Sequence, residues 1–123
     1  MSNRDDRLEK LAADYRRDRE GQERQLDKTR RQLRKQEELQ ADYFALINRN
    51  LNLVHELMWS HPRIIEVRSC YEGLQYEATL ATNSFEYEEE KLIATKRSIE
   101  QKMDEAEYSY HLESRRIQAS EGD

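Results

Sequence analysis

The chain has 123 residues, of which 38% are charged and 36% hydrophobic, and its 21 basic and 26 acidic side chains give a net charge of −5. This apolar fraction is lean for a thick globular core, and three Gly with one Pro are too few for the turns of a many-stranded fold. The composition therefore predicts an all-α protein.

The cysteine content and the N-terminal sequence bear on the compartment. A single cysteine, Cys70, excludes an internal disulfide and a zinc site built from several thiolates, and it suits a reducing environment. The first 20 residues have no apolar stretch typical of a signal peptide, and the sequence has no apolar run long enough to span a membrane. We therefore expect a cytoplasmic protein, or one exported together with a partner by a route without a cleaved signal.

Residues 3–59 predict a first long helix, because they contain no Pro and a helix-favouring composition throughout. In its outer part the apolar pattern fades after Tyr15, since Gln22, Thr29 and Gln36 occupy the next heptad positions, with only Leu26 and Leu33 nearby as apolar replacements. We expect this outer part to pack weakly.

The part of this helix nearest its C-terminal end carries two adjacent apolar stripes, which together cover roughly 200° of the surface at about 100° per residue. One stripe consists of Tyr43, Leu46, Leu53 and Leu57, and the other of Phe44, Ile47, Leu51, Val54 and Met58. One neighbouring helix cannot cover both stripes. The sequence leaves open which of them faces inward.

The stretch Trp59, Ser60, His61, Pro62 predicts the turn of a helical hairpin, at residues 59–62. It holds the only Trp and the only Pro of the chain. Ser60 or His61 can cap a new helix, and Pro62 is well tolerated in the first turn of that helix.

Residues 62–117 predict the second helix, followed by a polar tail at 118–123. Its apolar residues recur every seven positions, at Ile64, Tyr71, Ala78, Phe85, Leu92, Ile99 and Ala106. This heptad pattern is typical of a coiled-coil-like seam, so we expect two long antiparallel helices that form a single hairpin over residues 1–123. A further apolar set lies one step round the helix, at Ile65, Tyr76, Leu80 and Tyr87.

Charge supports the hairpin. Residues 1–40 carry 12 basic and 10 acidic side chains, whereas residues 41–123 carry 9 basic and 16 acidic ones. A reversal at Ser60 and His61 would place the basic run 30–35 opposite the acidic run 86–90. Exposed ion pairs contribute only about 0–1 kcal/mol each, so we expect them to set register rather than stability. The alternative is that the basic and acidic runs are two ordinary solvated helix faces that do not pair.

The sequence offers no pattern typical of an enzyme, a cofactor site or a metal site. The three histidines are not spaced to place two ligands on one helix face, and Cys70 lacks an orienting triad. Acidic residues interrupt the arginines of residues 16–35, and no aromatic residues alternate with them, which argues against nucleic-acid binding. We expect a non-enzymatic protein without a cofactor or metal.

The surplus apolar surface beside the turn indicates a protein partner, such as a helix that docks in a groove. The predicted partner-binding residues are Phe44, Leu51, Met58, Ile65, Tyr76, Leu80 and Tyr87. The alternative is a thicker local core with scattered exposed aromatic residues.

A helical hairpin with Trp at its turn resembles the WXG superfamily of small helical proteins of type VII secretion in Gram-positive bacteria. Trp59–His61 stands where that family has Trp-x-Gly, but the glycine is absent. The C-terminal Tyr-x-x-x-Asp/Glu signal of the family is also absent, and its nearest match, Phe85-x-x-x-Glu89, lies within the second helix.

The Glu- and Tyr-rich second helix is more similar to small α-helical proteins encoded beside LXG toxins. This resemblance implies a targeting factor or chaperone that binds the helical LXG domain of a secreted toxin, together with a second small helical protein. The alternative function is a structural coiled-coil subunit that assembles with itself, for example as a homodimer.

Overall fold

A computed structural model describes residues 3–120, which form two helices, α1 (Asn3–Ser60) and α2 (Ile65–Ser120). No strand occurs within this range. The two helices pack against each other as a hairpin, which confirms the predicted all-α fold class. Helix α2 begins three residues later than predicted and includes residues 118–120 of the predicted polar tail. The rest of that tail, residues 121–123, lies outside the described residues.

The turn at residues 61–64 differs in detail from the prediction. The His61 N–H donates to the Leu57 carbonyl at 2.8 Å, and the Ile64 N–H donates to the His61 carbonyl at 3.2 Å. Pro62 is thus the second residue of a tight turn, where its fixed φ is favourable, and not part of the first turn of α2. Ser60 does not cap α2, because its hydroxyl donates to the Glu56 carbonyl of α1 at 3.0 Å.

The hairpin divides into two compact units, to which both helices contribute. The end unit contains the described residues 3–31 and 93–120, and the turn unit contains residues 32–92.

The end unit holds most of the buried side chains of the described chain. Leu26, Ile99 and Met103 form one buried apolar cluster. Thr29 is also buried, and its hydroxyl donates to the Gln25 carbonyl of the preceding turn at 2.9 Å. Leu26 therefore packs on α2, and Thr29 satisfies its own hydroxyl within α1. The expectation that the outer part of α1 packs weakly stays a prediction.

Three aromatic rings pack together between the helices of the turn unit, in which Ile47 is buried. The Phe85 ring centroid lies 5.6 Å from that of Tyr43 and 6.0 Å from that of Phe44. The Gln36 side-chain amide donates to the Phe85 carbonyl at 3.4 Å. Gln36 precedes Ser60 by as many residues as Phe85 follows His61, so the two residues lie opposite each other as the predicted register requires. Lys35 of the basic run and Glu88 of the acidic run line the same groove in this unit.

Candidate partner-binding surfaces

The outer side of α2 carries large apolar side chains that the hairpin does not bury. These residues, which we call the α2 band, are Ile65, Tyr76, Leu80 and Tyr87, and all are at least half exposed. Tyr76, Leu80 and Tyr87 each lie two residues after the half-buried Leu74, Ala78 and Phe85. Two residues correspond to about 200° of helix rotation, so the band faces away from α1. The sequence had placed this set only one step from the seam.

The structure also resolves which apolar stripe of α1 faces inward. Ile47 is buried, and Phe44, Leu51, Val54 and Met58 are half-buried, so this stripe packs inside the hairpin. The other stripe is exposed at Leu46, Leu53 and Leu57. Its fourth member, Tyr43, is half-buried, and its ring lies 5.6 Å from that of Phe85.

Three predicted partner-binding residues, Phe44, Leu51 and Met58, therefore lie on the inward stripe. Most of their apolar surface is already used within the hairpin, so little of it remains for a partner. The other four predicted residues form the α2 band. The structure thus separates the predicted set into an inward and an outward group, and only the outward group offers open surface.

The α2 band has an apolar and aromatic centre with a charged rim. The Lys91 ammonium lies 5.2 Å from the centre of the Tyr87 ring, within reach of a cation–π interaction. Glu72, Glu77 and Glu90 are exposed on the same helix. An apolar centre with a polar rim is the usual composition of a protein interface, and the acidic rim suits a partner with basic flanks.

The predicted turn residues form a second exposed patch. Trp59 is 76% exposed at the end of α1 and lines a shallow cavity of about 380 Å³ with His55, Met58 and Pro62. Ser60 and His61 are exposed beside it. The sequence marked this stretch for its role in the turn, and the structure adds that its apolar rings remain open to solvent.

The end unit contains a groove that the sequence analysis did not identify. The rings of Tyr15 and Tyr110 stack there at 4.5 Å, and the groove has a volume of about 410 Å³. Asp14, Asp18 and Glu113 supply carboxylates to its lining. Asp14 is also ion-paired with a neighbouring arginine of its own helix, Arg17. The sequence placed Tyr15 at the last apolar position before the pattern of α1 fades, but it gave no signal that Tyr110 lies opposite.

Arg19 lies on the inward side of α1 in the end unit. Desolvation lowers the pKa of its guanidinium, but the hydrogen bond from Nε to Glu23 at 3.3 Å, with the charges of Glu23 and Glu107, outweighs this and raises the pKa. Arg19 Nη1 and Gln22 Oε1 are buried without a hydrogen-bond partner. This region is therefore a polar layer beside the apolar cluster of Leu26.

Within residues 3–120, no three His, Cys, Asp or Glu side chains converge as a metal site would require. Neither helix, over the same range, has an apolar stretch long enough to cross a membrane. Cys70 is exposed and unpaired by any disulfide.

Comparisons of the chain with protein-family models, with curated proteins and with solved structures find no match. The two-helix hairpin is compatible with a WXG-like fold.

Proposed function

We propose that this chain is a non-enzymatic targeting factor or chaperone, which binds the helical LXG domain of a type VII secreted toxin and promotes its export. The observation that carries the proposal is the α2 band, a row of large apolar side chains that faces away from α1. The choice of an LXG domain as the partner comes from the resemblance of the sequence to LXG-associated proteins.

The spacing of the band suits a helical partner. Tyr76, Leu80 and Tyr87 recur at intervals of four and seven residues, so they form one continuous stripe along α2. A partner helix can lay its own apolar face along such a stripe, with each side chain packing between those of the other helix.

The size of the α2 band indicates how much it contributes to the free energy of binding. Full burial of a large apolar side chain stabilises by about 1.5–3 kcal/mol, so four half-exposed residues would supply roughly 3–6 kcal/mol. Association costs about 4–15 kcal/mol in lost rigid-body freedom. The band alone therefore gives weak binding, and a second small helical protein in the same complex would supply the remaining surface.

A paired substitution tests this proposal. Tyr76→Glu with Leu80→Glu places two charges in the centre of the band, where both side chains are at least half exposed in the hairpin. We expect the variant to keep its helicity and to lose binding to the LXG domain by about thirtyfold or more, as for a central interface residue. Circular dichroism and calorimetric titration with the purified LXG domain measure the two properties.

The matched control is Gln75→Glu with Ser84→Glu. It adds the same two charges to exposed polar positions of the same helix, and it removes no apolar contact. We expect the control to bind as the unmodified chain does. The proposal fails if the band variant binds the LXG domain normally, or if it loses helicity in step with binding.

A further inference from the structure

The exposed stripe of α1 contains a second heptad pattern, separate from the one inside the hairpin. Leu39, Leu46 and Leu53 recur every seven residues, which corresponds to the d positions of a coiled coil. The intervening a positions, four residues after each leucine, are Tyr43, Asn50 and Leu57. We call these six residues the α1 seam.

The hairpin leaves five of the six residues of the α1 seam exposed, whereas Tyr43 is half-buried and its ring lies beside that of Phe85. Leu39, Leu46 and Leu53 are each more than half exposed. Each of them directly precedes an inward residue, namely Gln40, Ile47 and Val54, so the seam lies about 100° round the helix from the stripe that packs on α2. Exposed leucines at strict heptad spacing are typical of a helix that pairs with another helix.

The exposed area of the chain leaves room for a partner. The chain exposes 9673 Å². This is more than the roughly 7,000 Å² of a globular monomer of 14.9 kDa, as expected for two helices that bury only one face each. A standard protein interface covers about 800 Å² on each partner, which is a small part of this area.

Asn50 identifies the partner that fits the seam. It occupies an a position between leucine layers, where an apolar helix would bury its amide without a hydrogen bond. A second copy of the chain, parallel and in register, places Asn50 against the other Asn50, and the two amides can bond to each other. A single asparagine at an a position is known to fix register and dimer formation in this way.

We propose that two copies of this chain form a parallel dimer through the α1 seam, with Asn50 meeting Asn50 across the two-fold axis. In this dimer each α2 lies beside its own α1. The α2 band faces away from α1 and stays open, so the dimer does not depend on the function proposed above and can be tested separately.

Cysteine cross-linking tests the register. In a Cys70→Ser background, which removes the natural thiol, Asn50→Cys places a thiol on the seam. Asn48→Cys is the matched control, because Asn48 is exposed and lies two residues, or about 200°, from Asn50. We expect mild oxidation to convert Asn50→Cys to a disulfide dimer at least about tenfold faster than Asn48→Cys, since parallel pairing brings the two a-position side chains together. Equal rates would overturn the parallel register.

Sedimentation equilibrium of the full chain tests whether the α1 seam is the dimer interface. We expect a reversible equilibrium between 14.9 kDa and twice that mass. Leu46→Glu with Leu53→Glu should raise the dimer dissociation constant by about thirtyfold or more. Because both leucines are exposed in the hairpin, this variant should keep its helicity and its binding to the LXG domain. A chain that stays monomeric up to millimolar concentration, or a dimer that this variant leaves intact, would overturn the proposal.

Discussion

The contrast between two leucines of the end unit measures how far the hairpin depends on its small buried cluster. Leu26 is 6% exposed and packs with Ile99 and Met103, whereas Leu112 is 45% exposed. Leu→Ala removes the equivalent of three carbon groups, at about 0.8 kcal/mol each, and buried sites lose a further contribution to the cavity. Since the neighbours of Leu26 can relax towards solvent, we expect Leu26→Ala to destabilise by about 2–3 kcal/mol.

Leu112→Ala is the matched control, with the same chemical change in the same unit. Because Leu112 is about half exposed, it gains only about half of the free energy of full burial, and its truncation leaves no closed cavity. We therefore expect a loss of unfolding free energy of about 1 kcal/mol or less. Urea unfolding followed by far-UV circular dichroism, at low protein concentration, gives both values. Equal losses for the two variants would show that the buried cluster does not hold the end unit together.

Two further predictions concern the turn and the polar inward positions. Pro62→Ala removes the fixed φ of the tight turn, so helix α1 should continue through the turn into α2. We expect extended dimers that exchange α2, and small-angle scattering would detect them. An unchanged hairpin would mean that packing alone fixes the reversal of the chain. Gln36→Leu should stabilise the hairpin by about 0.5–1 kcal/mol in thermal unfolding, because its 3.4 Å bond to the Phe85 carbonyl is weak and an apolar side chain suits the position. A destabilised Gln36→Leu variant would instead show that this bond helps to hold the register.

The sequence predicted the hairpin because its strongest signals are local. Heptad spacing along α2 and one proline between two glycine-poor segments leave few other folds. The exact position of Pro62 could not be predicted, since a proline suits both the first turn of a helix and the second position of a tight turn.

The sequence also could not predict which stripe of α1 faces inward. Leu46 and Ile47 are neighbours of similar hydrophobicity, and only the packing of α1 on α2 decides which one is buried. For the same reason the predicted partner-binding set mixed inward Phe44 with outward Tyr76. Burial of Thr29 was missed because the bond that satisfies it is made to its own helix.

Covalent labelling of tyrosines in the complex tests the central claim most directly, because the chain carries its own control. Tyr76 and Tyr87 lie on the α2 band, whereas Tyr108 is equally exposed but lies in the end unit. If the α2 band binds the LXG domain, addition of that domain should protect Tyr76 and Tyr87 and leave Tyr108 labelled as before. Unchanged labelling of Tyr76 and Tyr87 in a complex that has formed would contradict the account.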